Sequence, residues 1–406
     1  NSYYEYGDKY RLVWGRILFL LLLLSTFFSC ILFFIIWSTF DNLDFDNRIL
    51  LALLSVFSLQ FNANNLMGQC LYTLRGTPIP FVVRTLVGGL IGIAVTFISI
   101  RYLRIGYLGF VLGSALNYMF CFFSFIYPLW MKEKLYPRIE ISKVRIFKLL
   151  KISLPVVPHA LGFLLLSSSS RIIMALYEIP IEDIGIYSNG YILGDYITIV
   201  TTALAFALAP YMQTTFRSEN YMCYRFLFFL CQSIALVSIF IFCLWMPEIY
   251  SILIRNESLQ ESMVISQISC FANCVFPLYV FMSNICFIKK DTMQLLWLVF
   301  IPGLLNIILL LIFIPLFGYR VAVITTLISY WTQMFIPFFI RYYKEQISLW
   351  LGNRSKLVEL FLISVFALVT SIILSKYFMA KLSMTLLIMV IIISNISKIS
   401  YKLKFL

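Results

Sequence analysis

Two ionisable residues sit where such residues are rare. Arg171 and Asp195 lie inside the apolar stretches LPVVPHALGFLLLSSSSRIIMALY and IGIYSNGYILGDYITIVTTALAFALAPY, which a short acidic turn, EIPIED, joins. A charge at mid-membrane depth costs about 2.5–3.5 kcal/mol on insertion scales, so it normally faces a partner or a water-filled cavity. Ser188, Tyr191, Thr198 and Thr202 recur around Asp195 at helical spacing and would share its stripe. Pro155, Pro158 and His159 begin the first stretch, and Ser167 to Ser170 run up to the arginine. A guanidinium there can hold an anion. A carboxylate there can neutralise the guanidinium, bind a cation or carry a proton. Arg171 can also be read as snorkelling toward the near end of its helix at Tyr177, and Asp195 as its structural counter-charge.

A second polar set lies in the segment 49–74, which holds Gln60, Asn62, Asn64, Asn65 and Gln69. Asn62, Asn65, Gln69 and Tyr72 would form one helical stripe. Amides in such a place either tie helices together or line a cavity, where a sugar's hydroxyls are suitable partners. His159 is the only histidine, and without a second titratable neighbour it reads as structural. The nine cysteines all fall within apolar runs, with no zinc-type spacing, and act as small hydrophobes.

The elements that carry these residues are membrane helices. Of the 406 residues 62% are hydrophobic and 12% charged, and mean hydropathy is +0.94. A soluble domain is nearer half apolar and a quarter charged. Runs long enough to cross about 30 Å of hydrocarbon recur at roughly 13–38, 49–74, 79–100, 106–130, 153–177, 184–211, 223–246, 262–288, 292–317, 320–342, 357–379 and 382–397. The expected fold class is an all-α polytopic membrane protein of about twelve transmembrane helices. With alternating loops and a cytoplasmic N-terminus, 23 of the 31 basic residues fall on the cytoplasmic side. The net charge of +13 therefore reports orientation rather than a nucleic-acid partner, and both ends of the chain are expected in the cytoplasm. The basic loop MKEKLYPRIEISKVRIFKLLK divides the chain, giving an N-terminal helical lobe over 1–130, a cytoplasmic linker over 131–151, a six-helix lobe over 152–345 and two peripheral helices over 346–406. Such blocks are what secondary transporters commonly show.

The run LLKISLPVVPHALGFLLLSSSSRIIM, followed by DIGIYSNGYILGDYITIVTTALAFALAPYM, resembles the start of the second bundle of bacterial polysaccharide flippases. These are the O-antigen and capsule exporters of the MATE-like multidrug/oligosaccharidyl-lipid/polysaccharide superfamily. Leu154-Pro155, Arg171, Gly185, Tyr187, Ser188 and Pro210 match the pattern, and the amide-rich helix followed by Tyr72 and Arg75 looks like the family's fourth helix. Many relatives carry Asp before the arginine, whereas this chain has Ser170, so a local Asp-Arg pair does not carry over. The resemblance implies a MATE-like two-lobed bundle, fourteen helices in the whole protein with two preceding this chain, and residence in the bacterial cytoplasmic membrane. It implies a lipid-linked oligosaccharide, carried on undecaprenyl diphosphate, as the substrate. Arg171, Asp195, Tyr191, Asn62, Asn65, Gln69 and Ser170 become the cavity candidates. No cofactor is expected; H+ or Na+ are the candidate coupling ions. The bilayer, together with polymerase and chain-length proteins of the same pathway, are the expected partners. A MATE-type drug or metabolite exporter is the alternative within transport, although such proteins favour acidic cavities. A membrane O-antigen polymerase, the enzymatic alternative, needs a sizeable outer loop and convergent titratable groups, which the sequence lacks. No phosphate-binding P-loop is present.

Overall fold

Long apolar runs with intact helix propensity dictate what the computed structural model shows: a multi-pass, all-α membrane protein. It describes residues 10–40, 43–139, 154, 156–289, 291–353 and 355–404. Among these there is no strand. Pro155 and the amphipathic end of the expected linker, residues 141–151, lie outside the described residues, as does the side chain of Pro210. Two compact units emerge, Asn1–Phe147 and Lys148–Leu406.

The first unit comprises α1 (Tyr10–Thr39), α2 (Phe45–Gln60), α3 (Ala63–Leu74), α4 (Ile79–Arg101) and α5 (Tyr107–Ile126). Helices α2 and α3 form one span broken at Phe61–Asn62, and α5 continues into a π-helical turn, Tyr127–Lys132. One end of the unit is closed by Tyr10, Trp14, Leu18, Leu71, Phe125 and Leu129. The same end carries a two-pronged ion pair. Arg75 donates from both terminal nitrogens to Glu133, at 2.7 and 2.6 Å, and from one of them to the Tyr10 hydroxyl at 3.1 Å. One guanidinium thus joins the ends of α1, α3 and α5.

The second unit contains α6 (Val156–Ser167), α7 (Ser169–Leu176), α8 (Ile181–Asp195), α9 (Thr198–Arg217), α10 (Tyr221–Leu244) and α11 (Met246–Leu253). It continues through α12 (Met263–Ala272), α13 (Phe276–Lys289), α14 (Thr292–Phe317), α15 (Val321–Trp331) and α16 (Arg341–Leu351), ending in α17 (Ser355–Leu374) and α18 (Phe378–Lys404). Its core is aromatic: Phe281, Tyr224 and Phe228 pack together, and Trp350 of α16 stacks on Phe216 with ring centres 4.3 Å apart. The last two helices, expected to be peripheral, are tied in by polar contacts. Lys381 is 3% exposed, pairs with Glu248 of α11 and lies over the Trp245 ring at 5.6 Å. Gln267 of α12 reaches the Ser375 hydroxyl at 3.3 Å.

Eight helices among the described residues are long and apolar enough to cross a membrane, and a ninth span is formed if the α6–α7 pair, bent by 57°, counts as one. The expected continuous helices at 184–211 and 320–342 are instead interrupted. The first breaks between Asp195 and Thr198, and the second passes into a 3-10 turn at Thr332–Met334. Each internal break occurs where a polar side chain enters the span.

The Arg75 hydrogen bond holds the Glu133 carboxyl below the usual carboxylate range. A depressed carboxyl stabilises the fold above its ordinary range and loses that contribution as pH falls through the lowered value. Glu133→Gln should cost about 1–2 kcal/mol at neutral pH, read as a lower Tm in detergent. The gap to wild type should close as the pH is taken toward 3. A gap that persists at low pH would show that the pair contributes nothing through its charge.

Candidate functional site

Every polar group freed by a helix break in hydrocarbon must find an internal partner, and the second unit concentrates its breaks. Helix α6 ends at Ser167, and the bend before α7 leaves carbonyls without helical donors. Asn306, the lone amide in the LLNIILL run of α14, supplies them: its amide nitrogen lies 3.4 Å from both the Leu165 and Leu166 carbonyl oxygens and 3.1 Å from the Ser169 hydroxyl. Thr326 of α15 extends the network, with its hydroxyl 3.5 Å from the Asn306 side-chain oxygen and 3.4 Å from the Ser170 hydroxyl. Ser170 is 1% exposed, so its hydroxyl serves this internal network.

One turn on, Arg171 is half-buried at the start of α7. Its Nε donates to the Ser188 hydroxyl at 3.0 Å, one terminal nitrogen donates to the Ser167 carbonyl at 3.3 Å, and the guanidinium lies 5.1 Å above the Tyr191 ring. Ser188 and Tyr191 belong to α8, so the predicted stripe does meet the predicted arginine. No carboxylate among the described residues lies within ion-pair distance of Arg171.

Asp195 ends α8 and faces a different neighbour. Its Oδ1 accepts from the Asn273 amide at 3.2 Å, and its main-chain carbonyl accepts from the Thr198 hydroxyl at 2.6 Å. A direct Arg171–Asp195 pair, one of the two expected arrangements, is therefore absent. Asn273 opens the 3-10 turn between α12 and α13, in the run FANCVFP. Two broken helices thus meet side chain to side chain. The turn is braced further by Gln232, which donates to the Cys274 carbonyl at 2.8 Å, and by Trp331, which donates to the Phe271 carbonyl at 3.1 Å.

The orientation of α8 depends on how closely it approaches α12. A Cβ added at Gly194 would stand 2.3 Å from the Ser266 carbonyl oxygen, and one at Gly190 would stand 2.6 Å from the Ser262 carbonyl oxygen. Ser266 in turn donates to the Gly190 carbonyl at 2.8 Å, and Ser269 to the Tyr191 carbonyl at 3.2 Å. Small residues four apart permit such backbone contact in membrane helices. Here they fix the rotation of α8, placing Ser188 and Tyr191 against Arg171 and Asp195 against Asn273.

In the first unit the amide-rich stripe divides. Asn64 is fully buried and joins helices, accepting from Trp130 at 3.2 Å and donating to the Phe122 carbonyl at 3.1 Å. Gln60 bonds Thr26 of α1 at 3.1 Å. Asn62, Asn65 and Gln69 are half-buried; Asn65 donates to Asn62 at 3.4 Å, and its own side-chain oxygen has no protein partner. His159 is 5% exposed and bonds Tyr279 at 3.2 Å, as a structural histidine would. Sequence reasoning missed Asn273, Asn306, Thr326 and Gln232. A lone amide in an apolar run was the available signal for the first two. Among the described residues no group of His, Cys, Asp and Glu is arranged to hold a metal ion.

Solved structures share the overall architecture. The chain superimposes on an outward-facing multidrug resistance MATE family transporter of the MOP superfamily with a TM-score of 0.63, at 14% identity, covering 82% of this chain and 77% of that one. The fold is MATE-like. A MATE structure in the straight conformation gives 0.63 at 15% identity, covering 83% and 78%. A MOP superfamily transporter from Pyrococcus furiosus, described as having a binding pocket of reverse polarity that suggests a different function, gives 0.61 at 15% identity, covering 84% and 81%. No family model matches the chain, and no curated protein matches it by sequence.

The α8–α12 contact can be tested directly. Gly194→Ala pushes a methyl into backbone and should cost at least about 1–3 kcal/mol, seen as a lower Tm in detergent. Gly185→Ala, whose Cβ would meet nothing within 4 Å, should leave Tm unchanged or slightly raised. Equal Tm values for the two variants would mean that α8 and α12 do not touch as described.

Proposed function

We propose that this protein is a membrane transporter that moves an anionic, lipid-linked oligosaccharide across the bacterial cytoplasmic membrane by alternating access, for surface polysaccharide assembly. The observation that carries this reading is Arg171: a half-buried guanidinium among helices that break in mid-span, held by hydroxyl, carbonyl and ring but by no carboxylate. A diphosphate cannot cross hydrocarbon unaided, and an arginine with no carboxylate at ion-pair distance can supply charge-assisted bonds to it. Tyr191 orients the guanidinium from below. The half-buried amides Asn62, Asn65 and Gln69 suit sugar hydroxyls. Ser170 contributes by holding the α6–α7 bend rather than by touching substrate. Asp195, paired with Asn273 instead of Arg171, is left as the group through which H+ or Na+ would couple. The undecaprenyl diphosphate carrier and the polysaccharide pathway come from the sequence resemblance, as do the expected polymerase and chain-length partners.

The MATE-like fold supports a second reading, a drug or metabolite exporter, equally well. Asp195 is the observation in its favour, since a half-buried carboxylate attracts cationic compounds.

Deleting the gene and locating lipid-linked oligosaccharides in the cells separates the readings. Complete repeat units should accumulate on the inner leaflet with loss of surface polysaccharide. Arg171→Ala should then fail to restore export, falling to below about a hundredth of wild type for a lost charge-assisted contact of roughly 3 kcal/mol, at equal membrane abundance. Full export by Arg171→Ala would refute the assigned role, and unchanged lipid pools with altered dye efflux would establish the drug exporter.

A further inference from the structure

The first unit carries a groove that the proposed transport path does not use. Helices α4 and α5 are drawn together by small residues four apart: a Cβ at Gly92 would lie 3.0 Å from the Gly113 carbonyl oxygen, and one at Gly113 would lie 2.6 Å from that of Gly92. Between their flanks lies a cavity of about 990 Å³, at the upper end of the range for small-molecule sites, about 300–1,000 Å³. Phe97 and Phe110, both more than half exposed, line it together with Ile93 and Ile100, and Thr96 and Asn117 add polar edges. Asn62, Asn65 and Gln69 are not part of it.

Arg101 and Arg104 line one end. Both are exposed, and among the described residues neither has a carboxylate, hydrogen-bond or ring partner. The charge bias assigns this end to the outer side, where only 7 of the 31 basic residues fall. Two unpaired guanidiniums on the side that is otherwise poor in basic residues, at the mouth of a largely apolar groove, match a molecule with a phosphate head and a hydrocarbon tail. We propose that the α4–α5 groove binds an anionic phospholipid of the outer leaflet, its head group on Arg101 and Arg104 and an acyl chain running past Phe97 and Phe110. Phospholipid is favoured over the lipid-linked glycan because the groove offers few hydroxyl partners and its lining includes none of Asn62, Asn65 and Gln69. This site is independent of the transport reading.

The test places a photo-crosslinking phenylalanine analogue at position 97, or at Leu86, which is 60% exposed on the same helix and does not line the groove. The full chain is reconstituted in vesicles of phosphatidylglycerol and phosphatidylcholine, and the lipid adducts are identified by mass spectrometry. Position 86 should report the bulk lipid ratio. Position 97 should enrich phosphatidylglycerol at least about fivefold, the gain expected from one basic residue beside an anionic head group. R101Q/R104Q should return it to the bulk ratio without changing Tm. Bulk-ratio adducts at position 97, or enrichment that survives R101Q/R104Q, would overturn the proposal. Loss of the phosphatidylglycerol adduct on adding a trace of polyisoprenyl diphosphate would overturn it too, assigning the groove to the carrier lipid instead.

Discussion

The near-contact of two backbones, α8 against α12, sets the geometry of everything polar in the second unit. Gly190 and Gly194 leave no side chain between the helices, and the hydroxyls of Ser266 and Ser269 bond the α8 carbonyls that this proximity exposes. With no hydrophobic force between helices inside lipid, such contacts and hydrogen bonds must hold them. Once α8 cannot rotate, Ser188 and Tyr191 face α7 and Asp195 faces the turn at Asn273. The arginine and the aspartate then take their hydrogen bonds from separate partners.

The breaks in the helices follow the same logic. A kinked span frees carbonyls, and in hydrocarbon each costs several kcal/mol unless satisfied. Asn306 answers the bend after Ser167, Gln232 and Trp331 answer the turn at Asn273, and Thr198 answers the end of α8. The polar residues that a hydropathy reading counts as candidate ligands therefore fall into two groups. Ser170, Asn64 and His159 are consumed by the structure, whereas Arg171, Asn65 and Gln69 retain capacity toward something else.

Much of this was legible in the sequence because membrane helices announce themselves. Length, apolarity and the distribution of lysine and arginine yield the spans, and the helical spacing of Ser188, Tyr191 and Asp195 yields a shared face. What periodicity cannot carry is where a span stops being one helix. The stripe from Ser188 to Thr202 reads as continuous, yet it breaks after Asp195, because a glycine-bound α8 and a turn at Asn273 offer a carboxylate a better partner than the next helical turn does. Nor can spacing within one segment reveal that Asn306, more than a hundred residues downstream, bonds the carbonyls before Arg171. Partners between distant segments are properties of tertiary contact, and a single chain read in order does not display them.

The ion pair between Lys381 and Glu248 carries a consequence for how the chain is made. The two residues are 133 positions apart, and synthesis at about 5–20 residues per second separates their arrival by roughly 7–27 seconds. During that interval α11 is already in place with an acid whose counter-charge does not yet exist. Glu248 keeps about a third of its side chain accessible even in the finished fold, so water can hold it while it waits. The lysine has no such provision, since it ends almost wholly enclosed between Trp245 and Phe378. The order of synthesis thus matches the order of exposure: the partner made first is the one that tolerates being alone, and the last helix docks onto a charge that is ready to receive it.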